Sequence, residues 1–207
     1  MSGAGARQAQ KAATRQRVLA AARELFAGSG YEAATVRQIA ILAGVSVGSV
    51  FNAFASKAEI LSEVMRERLD GLYAELDRVI PHLRGSTVDR LRSMFAIHFA
   101  FETRHVQLFL AHIALAFDWT LSSGATPYGR NARLKQLLVD CLEKGVAAGD
   151  VHPGTDVRGV VDLLMAAYAW TYRLAAWEDA GAEAMTAAMD RQIGLIADGF
   201  RPREAWA

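Results

Sequence analysis

Hydrophobic residues recur along most of the chain at intervals of three to four positions, which is the spacing of residues on one face of an α-helix. Glycines, prolines and short polar stretches separate these periodic segments. The approximate limits of the predicted helices are 14–27, 35–43, 46–53, 56–80, 87–104, 106–121, 127–149, 155–179 and 183–199. The sequence therefore predicts an all-α protein.

Two short helices are predicted on either side of a tight turn at residues 44–46. Thr35 and Gln38 have the spacing of a capping box that begins the first helix, and Ser46 is a suitable N-cap for the second. Because so short a turn prevents the helices from lying antiparallel, they must cross steeply. Residues 35–54 therefore predict a DNA-binding helix-turn-helix, with an ordinary helical hairpin as the alternative.

Composition narrows the class of protein. Apolar residues form 52% of the chain, but no run approaches the ~20 apolar residues of a membrane-spanning helix, and the N-terminus lacks the apolar segment of a secretory signal. The single cysteine excludes an internal disulfide and a zinc site built from several thiolates. We therefore expect a soluble, cytoplasmic protein with no membrane partner.

The net charge of +1 is unevenly distributed along the chain. Through Lys57 there are seven basic residues and two acidic ones, a surplus of five positive charges, so the remainder carries −4. A basic N-terminal quarter on an otherwise acidic chain is typical of a protein that contacts a polyanion at one end. We expect the first thirteen residues to form a disordered basic arm.

Several motifs in this quarter keep the order and spacing of a known family. They are TRQRVLAAARELF from Thr14, GYEAATVRQIA from Gly30, AGVS from Ala43, then Gly48, Phe54 and Ser56-Lys57. Over this stretch the chain resembles the DNA-binding domain of the TetR family of repressors. The resemblance implies an all-α homodimer that binds a palindromic DNA operator. It also implies a variable C-terminal domain that binds a small-molecule inducer and thereby releases the DNA.

The resemblance also assigns DNA contacts. Positions that match contacts with the DNA backbone are Thr35, Arg37 and Lys57, and those that match the recognition helix are Ser46, Val47, Gly48, Phe51 and Asn52. Val47 stands where the family usually has lysine, and Phe51 where it usually has tyrosine. We therefore expect fewer phosphate contacts and more apolar contacts with thymine methyl groups, while Asn52 is suited to pair with an adenine edge.

Three histidines in the C-terminal part, His98, His105 and His112, follow one another at seven-residue spacing. Glu102 and His105 also have the Glu-x-x-His form that di-iron helical bundles use. Such a centre needs a second motif of this kind and two further carboxylates, which do not occur at suitable positions. We therefore expect no metal site and no cofactor, and no catalytic residues, because no nucleophile–base pair or phosphate-binding loop is evident either.

Aromatic and polar residues on the middle helices are candidates for an effector pocket. These are Phe95, His98, Phe99, Glu102, His112, Phe117, Trp119, Tyr128, Met165, Tyr168 and Tyr172. Such a pocket suits a largely apolar ligand that a few polar groups orient. Packing in a solid core is the alternative for the aromatic residues, and Cys141 is expected to be a buried apolar filler.

The last two predicted helices are the candidates for a dimer interface. By family resemblance they meet their symmetry mates in a four-helix arrangement. The residues assigned to it are Val160, Leu164, Ala167, Ala175, Met185, Ala188, Ile193 and Ile196. Packing within one subunit is the alternative.

Together these patterns divide the chain into four parts: the arm (1–13), a DNA-binding domain (14–55), a helical bundle for ligand binding and dimerisation (56–200) and a short tail (201–207). The function expected is that of a ligand-responsive transcriptional regulator, most simply a repressor, with activation left open. The alternatives are a DNA-binding regulator without a small-molecule ligand and an enzyme built on a helical bundle.

Overall fold

The computed structural model describes residues 3–116 and 131–201, and every regular element in these ranges is helical. Its α-helices are α1 (Gly3–Gly28), α2 (Val36–Leu42), α3 (Val47–Ala53), α4 (Lys57–Val79), α5 (Thr87–Glu102), α6 (Val106–Ala116), α7 (Ala132–Ala148), α8 (Val157–Trp177) and α9 (Ala182–Ala197). Short 3₁₀ segments, Ile80–His82 and Thr103–His105, follow α4 and α5. The predicted all-α fold is confirmed.

The described residues form two compact units. The first unit contains residues 3–70 and 107–116, and the second contains residues 71–106 and 131–201. The division falls inside α4, which is one continuous helix, so no linker marks the domain boundary expected after residue 55. That boundary remains a prediction about function.

Most helix ends lie close to their predicted positions because capping residues determine them. Gln38 donates its backbone N–H to Thr35 Oγ1 at 3.2 Å, and Thr35 donates its own to Gln38 Oε1 at 2.8 Å, which completes the capping box of α2. Ser46 caps α3 by accepting from the backbone N–H of Ser49 at 3.1 Å. At the start of α4 only half of a capping box is present. Ser56 Oγ accepts from the backbone N–H of Glu59 at 3.1 Å, but Glu59 Oε2 accepts from the backbone N–H of Ala55 rather than from that of Ser56.

The first helix is longer than predicted, since α1 begins at Gly3 rather than near Thr14. The expectation of a disordered arm is therefore wrong for the described residues 3–13. The segment is rich in Ala, Gln, Arg and Lys, which are good helix formers, so it continues α1 although residues 5–13 are all exposed. Apolar periodicity missed this extension because it packs against no core.

The core of the first unit joins α1 to the two short helices. Val18, Leu19 and Phe26 from α1 are buried together with Ile39 of α2 and Val50 of α3. Phe26 also contacts the Tyr31 ring edge-on at 5.4 Å.

In the second unit, α5 packs against α7 and α9, and α8 against α7 and α9. The start of α5 is tied to the end of α7, because Thr87 donates its backbone N–H and hydroxyl to Asp150 at 2.6 and 2.8 Å. Asn131 caps α7 by accepting from Leu134 N–H at 3.1 Å. The helix start predicted at Pro127 lies outside the described residues.

Within the described residues, no single helix combines the length and apolar character needed to cross a bilayer. Only α2 and α3 taken together meet those criteria, and they are bent by 102°.

Candidate DNA-binding surface and buried polar cluster

The turn between α2 and α3 has the geometry of a helix-turn-helix. The two helices meet at 102°, within the roughly 90–120° typical of that motif. Gly44 adopts a left-handed conformation with φ +63°, and its N–H bonds to the Ile41 carbonyl at 3.1 Å. Val45 N–H bonds to the Ala40 carbonyl at 3.0 Å. A residue with a side chain would be strained at position 44, so the glycine determines this crossing.

The residues predicted for DNA recognition lie on the outer side of α3 and at its start. Val47 is 39% exposed and Phe51 is 51% exposed, and Ser46, Gly48 and Asn52 are exposed as well. Val50, on the opposite side of α3, is buried in the core. Because the exposed side chains of Val47 and Phe51 do not contribute to the core, they are available to contact a binding partner.

Two of the three residues matched to the DNA backbone, Thr35 and Arg37, are exposed, but Lys57 is engaged elsewhere. Its ammonium donates to the carbonyls of Tyr31, Glu32 and Ala34 at 2.8, 3.4 and 3.2 Å. It also lies 4.2 Å from the centre of the Tyr31 ring. Lys57 therefore holds the loop between α1 and α2 in place, and its phosphate contact remains a prediction.

The basic residues of the first unit differ in whether a carboxylate neutralises them. Arg15 pairs with Glu63 at 3.1 Å and bonds to the Ala53 carbonyl at 2.8 Å, and Arg23 pairs with Glu67. Hydrogen bonds from Arg66, and then from Arg15, lower the pKa of Glu63 to about 2, so this carboxylate stays charged at neutral pH.

Four other cations of the first unit lack a carboxylate partner within the described part of the chain. Among the described residues, no carboxylate pairs with Arg7, Lys11, Arg17 or Arg37, and all four are exposed. The sequence showed a basic quarter, but only the structure shows which of its charges are free to meet a polyanion.

In the second unit, four polar side chains predicted for the effector pocket meet in the interior. Tyr168 shares its hydroxyl proton between the two carboxylate oxygens of Glu102, each at 2.6 Å. His98 Nδ1 lies 3.3 Å from the Tyr168 hydroxyl and 3.6 Å from Glu102 Oε1. The Tyr172 hydroxyl is 3.3 Å from that of Tyr168. We call these four residues the polar cluster.

Aromatic rings surround the polar cluster. Phe95 and Phe99 contact the Tyr168 ring at 5.3 and 5.4 Å between centroids, and Met165 is also buried. His98 and Glu102 are both 0% exposed, and His98 Nε2 has no hydrogen-bond partner within the described part of the chain. A polar group that is buried in this way costs about 1–3 kcal/mol, so it calls for a functional explanation.

Sequence reasoning missed two residues beside the polar cluster. Tyr73 packs edge-on against His98 at 5.9 Å, and Asn131 donates a hydrogen bond to the Tyr73 hydroxyl. Tyr73 follows the buried Leu72 on α4, so the only available signal was an aromatic residue beside an apolar stripe.

The other predicted pocket residues are not part of the polar cluster. His112 belongs to the first unit, where burial lowers its pKa to about 4. Phe117, Trp119 and Tyr128 lie outside the described residues. No group of three or more possible metal ligands occurs within residues 3–116 and 131–201.

Comparison with known proteins identifies the family. The model of bacterial regulatory proteins of the tetR family matches residues 18–64, which contain the helix-turn-helix. The transcriptional repressor KstR2 of Mycolicibacterium smegmatis is 33% identical over 149 residues, covering 72% of this chain and 72% of KstR2. The chain belongs to the TetR family. It is accordingly a DNA-binding helix-turn-helix transcriptional repressor and not an enzyme.

Solved TetR-family structures share the fold over nearly the whole chain. Thermus thermophilus FadR, solved in complex with lauroyl-CoA, has a TM-score of 0.74 at 24% identity and covers 93% of this chain and 98% of its own. The ketosteroid regulator KstR2 of Mycobacterium tuberculosis has a TM-score of 0.56 at 27% identity and covers 91% and 95%.

The residues predicted for the TetR-type dimer interface need correction. Leu164, Ala175, Met185, Ala188 and Ile193 are buried inside the single chain, where α8 and α9 pack within the second unit. The outward apolar residues of these helices are instead Leu163, Trp170, Trp177 and Leu195, which are 58–75% exposed. Of the original set, Val160, Ala167 and Ile196 are partly exposed.

Proposed function

We propose that this TetR-family repressor binds a palindromic operator as a homodimer and is released from it by a small, largely apolar effector. Residues 14–55 serve DNA recognition in this proposal, and residues 56–200 serve effector binding and dimerisation. The observation that supports effector binding is the polar cluster, in which a carboxylate and an imidazole lie inside an aromatic core.

The polar cluster has the composition of a ligand anchor. Ligand sites in proteins are mostly apolar, with a few polar groups that orient the ligand. Here Phe95 and Phe99 supply apolar surface, while His98 Nε2 offers a nitrogen without a partner among the described residues. An effector that hydrogen-bonds to this nitrogen would remove the cost of its burial. The lauroyl-CoA complex of T. thermophilus FadR is an example of this fold with a ligand that has a long apolar acyl chain.

The outward face of α8 and α9 supports the proposed two-fold dimer. Trp170 and Trp177 stack edge-to-face at 6.0 Å, Arg173 lies over the Trp170 ring at 4.9 Å, and Leu195 is 75% exposed. Exposed aromatic and apolar residues on adjoining helices are typical of a protein interface. A self-complementary interface here would produce the two-fold symmetry that a palindromic operator requires.

DNA recognition is assigned to the exposed side of α3. Val47 and Phe51 would contact thymine methyl groups, and Asn52 would pair with an adenine edge. Thr35 and Arg37, both exposed at the start of α2, would contact phosphates, while Ser46 and Gly48 lie at the start of α3, where its backbone approaches the DNA.

The experiment for the operator is selection of bound duplexes from random DNA, followed by affinity measurement at stated salt. We expect an enriched palindrome, and we expect Val47→Ala and Asn52→Ala each to weaken its binding by about tenfold. Ile41→Ala on α2, which is 71% exposed and has no assigned DNA contact, is the control that retains affinity. Absence of an enriched palindrome, or unchanged affinity in both α3 variants, would refute the assignment.

The experiment for the effector combines thermal shift with release of labelled operator. Acyl-CoA thioesters, free fatty acids and a small-molecule extract of bacterial cells are the probes. An effector should raise the melting temperature and release DNA, and Tyr168→Phe should weaken that response while operator affinity is retained. Tyr31→Phe, which removes a hydroxyl from the first unit, is the matched control. A chain that neither shifts nor releases DNA with any probe would instead favour a regulator without a small-molecule ligand.

A further inference from the structure

The N-terminal extension of α1 places one helical face beside the recognition helix. Arg7, Gln10, Lys11 and Thr14 are spaced as i, i+3, i+4 and i+7, so they share that face. Together with Ser49, Asn52 and Ala53 they line an open cleft of about 520 Å³. Asn52 is a proposed base contact, so this cleft adjoins the DNA-recognition surface.

The charge of this face is positive and is not neutralised. No carboxylate lines the cleft, and no described carboxylate pairs with Arg7 or Lys11. The first acidic residue of the chain is Glu24, so the extension contains none. The next cation, Arg15, is directed to Glu63 and the Ala53 carbonyl and does not line the cleft.

Core packing gives no reason for this extension. Residues 5–13 are all exposed, so they bury no side chain in the core of the first unit. A helical face that carries two unpaired cations and adjoins α3 is instead complementary to a polyanion beside that helix.

We propose that this face, which we call the basic face of α1, binds the phosphate backbone of duplex DNA next to the groove that α3 occupies. Arg7 and Lys11 form ion pairs with phosphates, and Gln10 and Thr14 donate hydrogen bonds to phosphate oxygens. The proposal rests on the recognition role proposed for α3. It supplies phosphate contacts in a protein that has Val47 and Phe51 where the family usually has a lysine and a tyrosine.

The test is the salt dependence of DNA affinity for the full-length chain. Each phosphate contact contributes about −0.9 to the slope of log K against log salt on B-DNA. Arg7→Gln with Lys11→Gln should therefore make the slope shallower by about 1.8 per protomer. Between about 50 and 200 mM salt, the loss of affinity then becomes about tenfold smaller per protomer. An unchanged slope overturns the proposal.

A variant with relocated charges distinguishes DNA binding by one helical face from binding by a flexible basic tail. Arg7→Gln, Gln8→Arg, Lys11→Gln and Ala12→Lys together keep the charge but rotate it by about 100° around the helix. If the basic face binds phosphates, the slope of log K against log salt should be as shallow in this variant as in Arg7→Gln with Lys11→Gln. A slope equal to that of the unmodified chain would show that any nearby cation suffices, which overturns the helical arrangement.

Two further measurements complete the design. Arg84→Gln with Arg158→Gln removes two exposed cations from the second unit and should leave the slope nearly unchanged. The measurements use the selected operator and also a mixed-sequence duplex of about 30 base pairs, because phosphate contacts also support non-specific binding. A missing operator would thus refute the proposed function, while the mixed-sequence slope would still decide on the basic face.

Discussion

At the scale of single residues, Lys57 and Arg37 share one predicted role but differ in the contacts that their side chains make. Both match positions where family members contact the DNA backbone. The Lys57 ammonium donates to three backbone carbonyls, at 2.8–3.4 Å, while Arg37 is exposed and has no carboxylate partner in the described ranges. A basic residue near a DNA-binding motif can therefore serve the fold or the ligand, and its hydrogen bonds decide which.

We predict that Lys57→Met lowers the free energy of unfolding by about 1–3 kcal/mol, because three carbonyls lose a charged donor. Arg37→Gln should leave that free energy within about 0.5 kcal/mol and should weaken DNA binding instead. Urea unfolding of both variants without DNA measures the difference. A stable Lys57→Met protein with reduced salt dependence would show that Lys57 is chiefly a phosphate ligand.

The buried imidazole of His112 should make the stability of the protein depend on pH. Burial lowers its pKa from the ordinary 6.5 to about 4, so the unfolded chain binds a proton more readily than the folded chain between those values. The free energy of unfolding is therefore highest above pH 6.5, as far as His112 determines it. It falls by about 3 kcal/mol in total as the pH decreases towards 4. Glu63, with its pKa near 2, keeps its charge across this window.

Unfolding by urea at pH 7 and pH 4.5 checks this expectation. His112→Gln should remove about 2–3 kcal/mol of the difference in stability between the two pH values. His82→Gln, at an exposed position after α4, should retain the full difference. Equal pH dependence in the His112 variant and the unmodified chain would contradict the assignment.

At the scale of helices, two glycines inside helices show opposite packing. Gly71 in α4 has no atom within 4 Å of the place where a Cβ would lie. At Gly145 in α7, a Cβ would lie 2.6 Å from Val151 Cγ2 and 2.9 Å from Asp150 Oδ1. A glycine inside a helix thus lowers helix stability without a packing benefit in α4, whereas in α7 it allows neighbouring side chains to approach closely.

Replacing each glycine with alanine should change stability in opposite directions. Gly71→Ala should raise the free energy of unfolding by about 0.5–1 kcal/mol through helix propensity. Gly145→Ala should lower it by about 1–3 kcal/mol, because overpacking displaces Asp150 from Thr87. Thermal unfolding of the two variants is the measurement, and a stabilised Gly145→Ala would show that α5 and α7 can separate without cost.

Helix ends were predictable from local chemistry, since Thr35, Ser46 and Ser56 each cap the helix that follows. The start of α1 was not, because residues 3–13 have helix-forming composition but no apolar periodicity. Composition and periodicity conflict there, and the prediction followed periodicity.

At the scale of the whole molecule, the outward face of α8 and α9 determines the expected assembly. Leu195→Arg should convert the proposed dimer into a monomer, because a desolvated charge opposes association across a two-fold axis. Ile41→Arg is the matched control, since Ile41 is 71% and Leu195 75% exposed. Sedimentation velocity at micromolar concentration distinguishes the two species, and a dimeric Leu195→Arg would place the interface elsewhere.

The proposed effector site shows how much of a buried site can be predicted from the sequence. Its candidates included His98, Glu102, Tyr168 and Tyr172, which do meet. They also included His112, which belongs to the other unit, and omitted Tyr73, which packs on His98. A side chain's residue type identifies it as a candidate, but only the packing of α4, α5 and α8 decides which candidates share one interior.

The sequence by itself determined the all-α class, the helix-turn-helix and the family, because capping, turn geometry and helical periodicity depend on residues at most a few positions apart. Tertiary structure decided which cations remain unpaired, which face of α8 and α9 is outward, and that Glu102 meets Tyr168. Those outcomes depend on contacts between residues far apart in the chain, and the sequence pattern of each helix is compatible with more than one such packing.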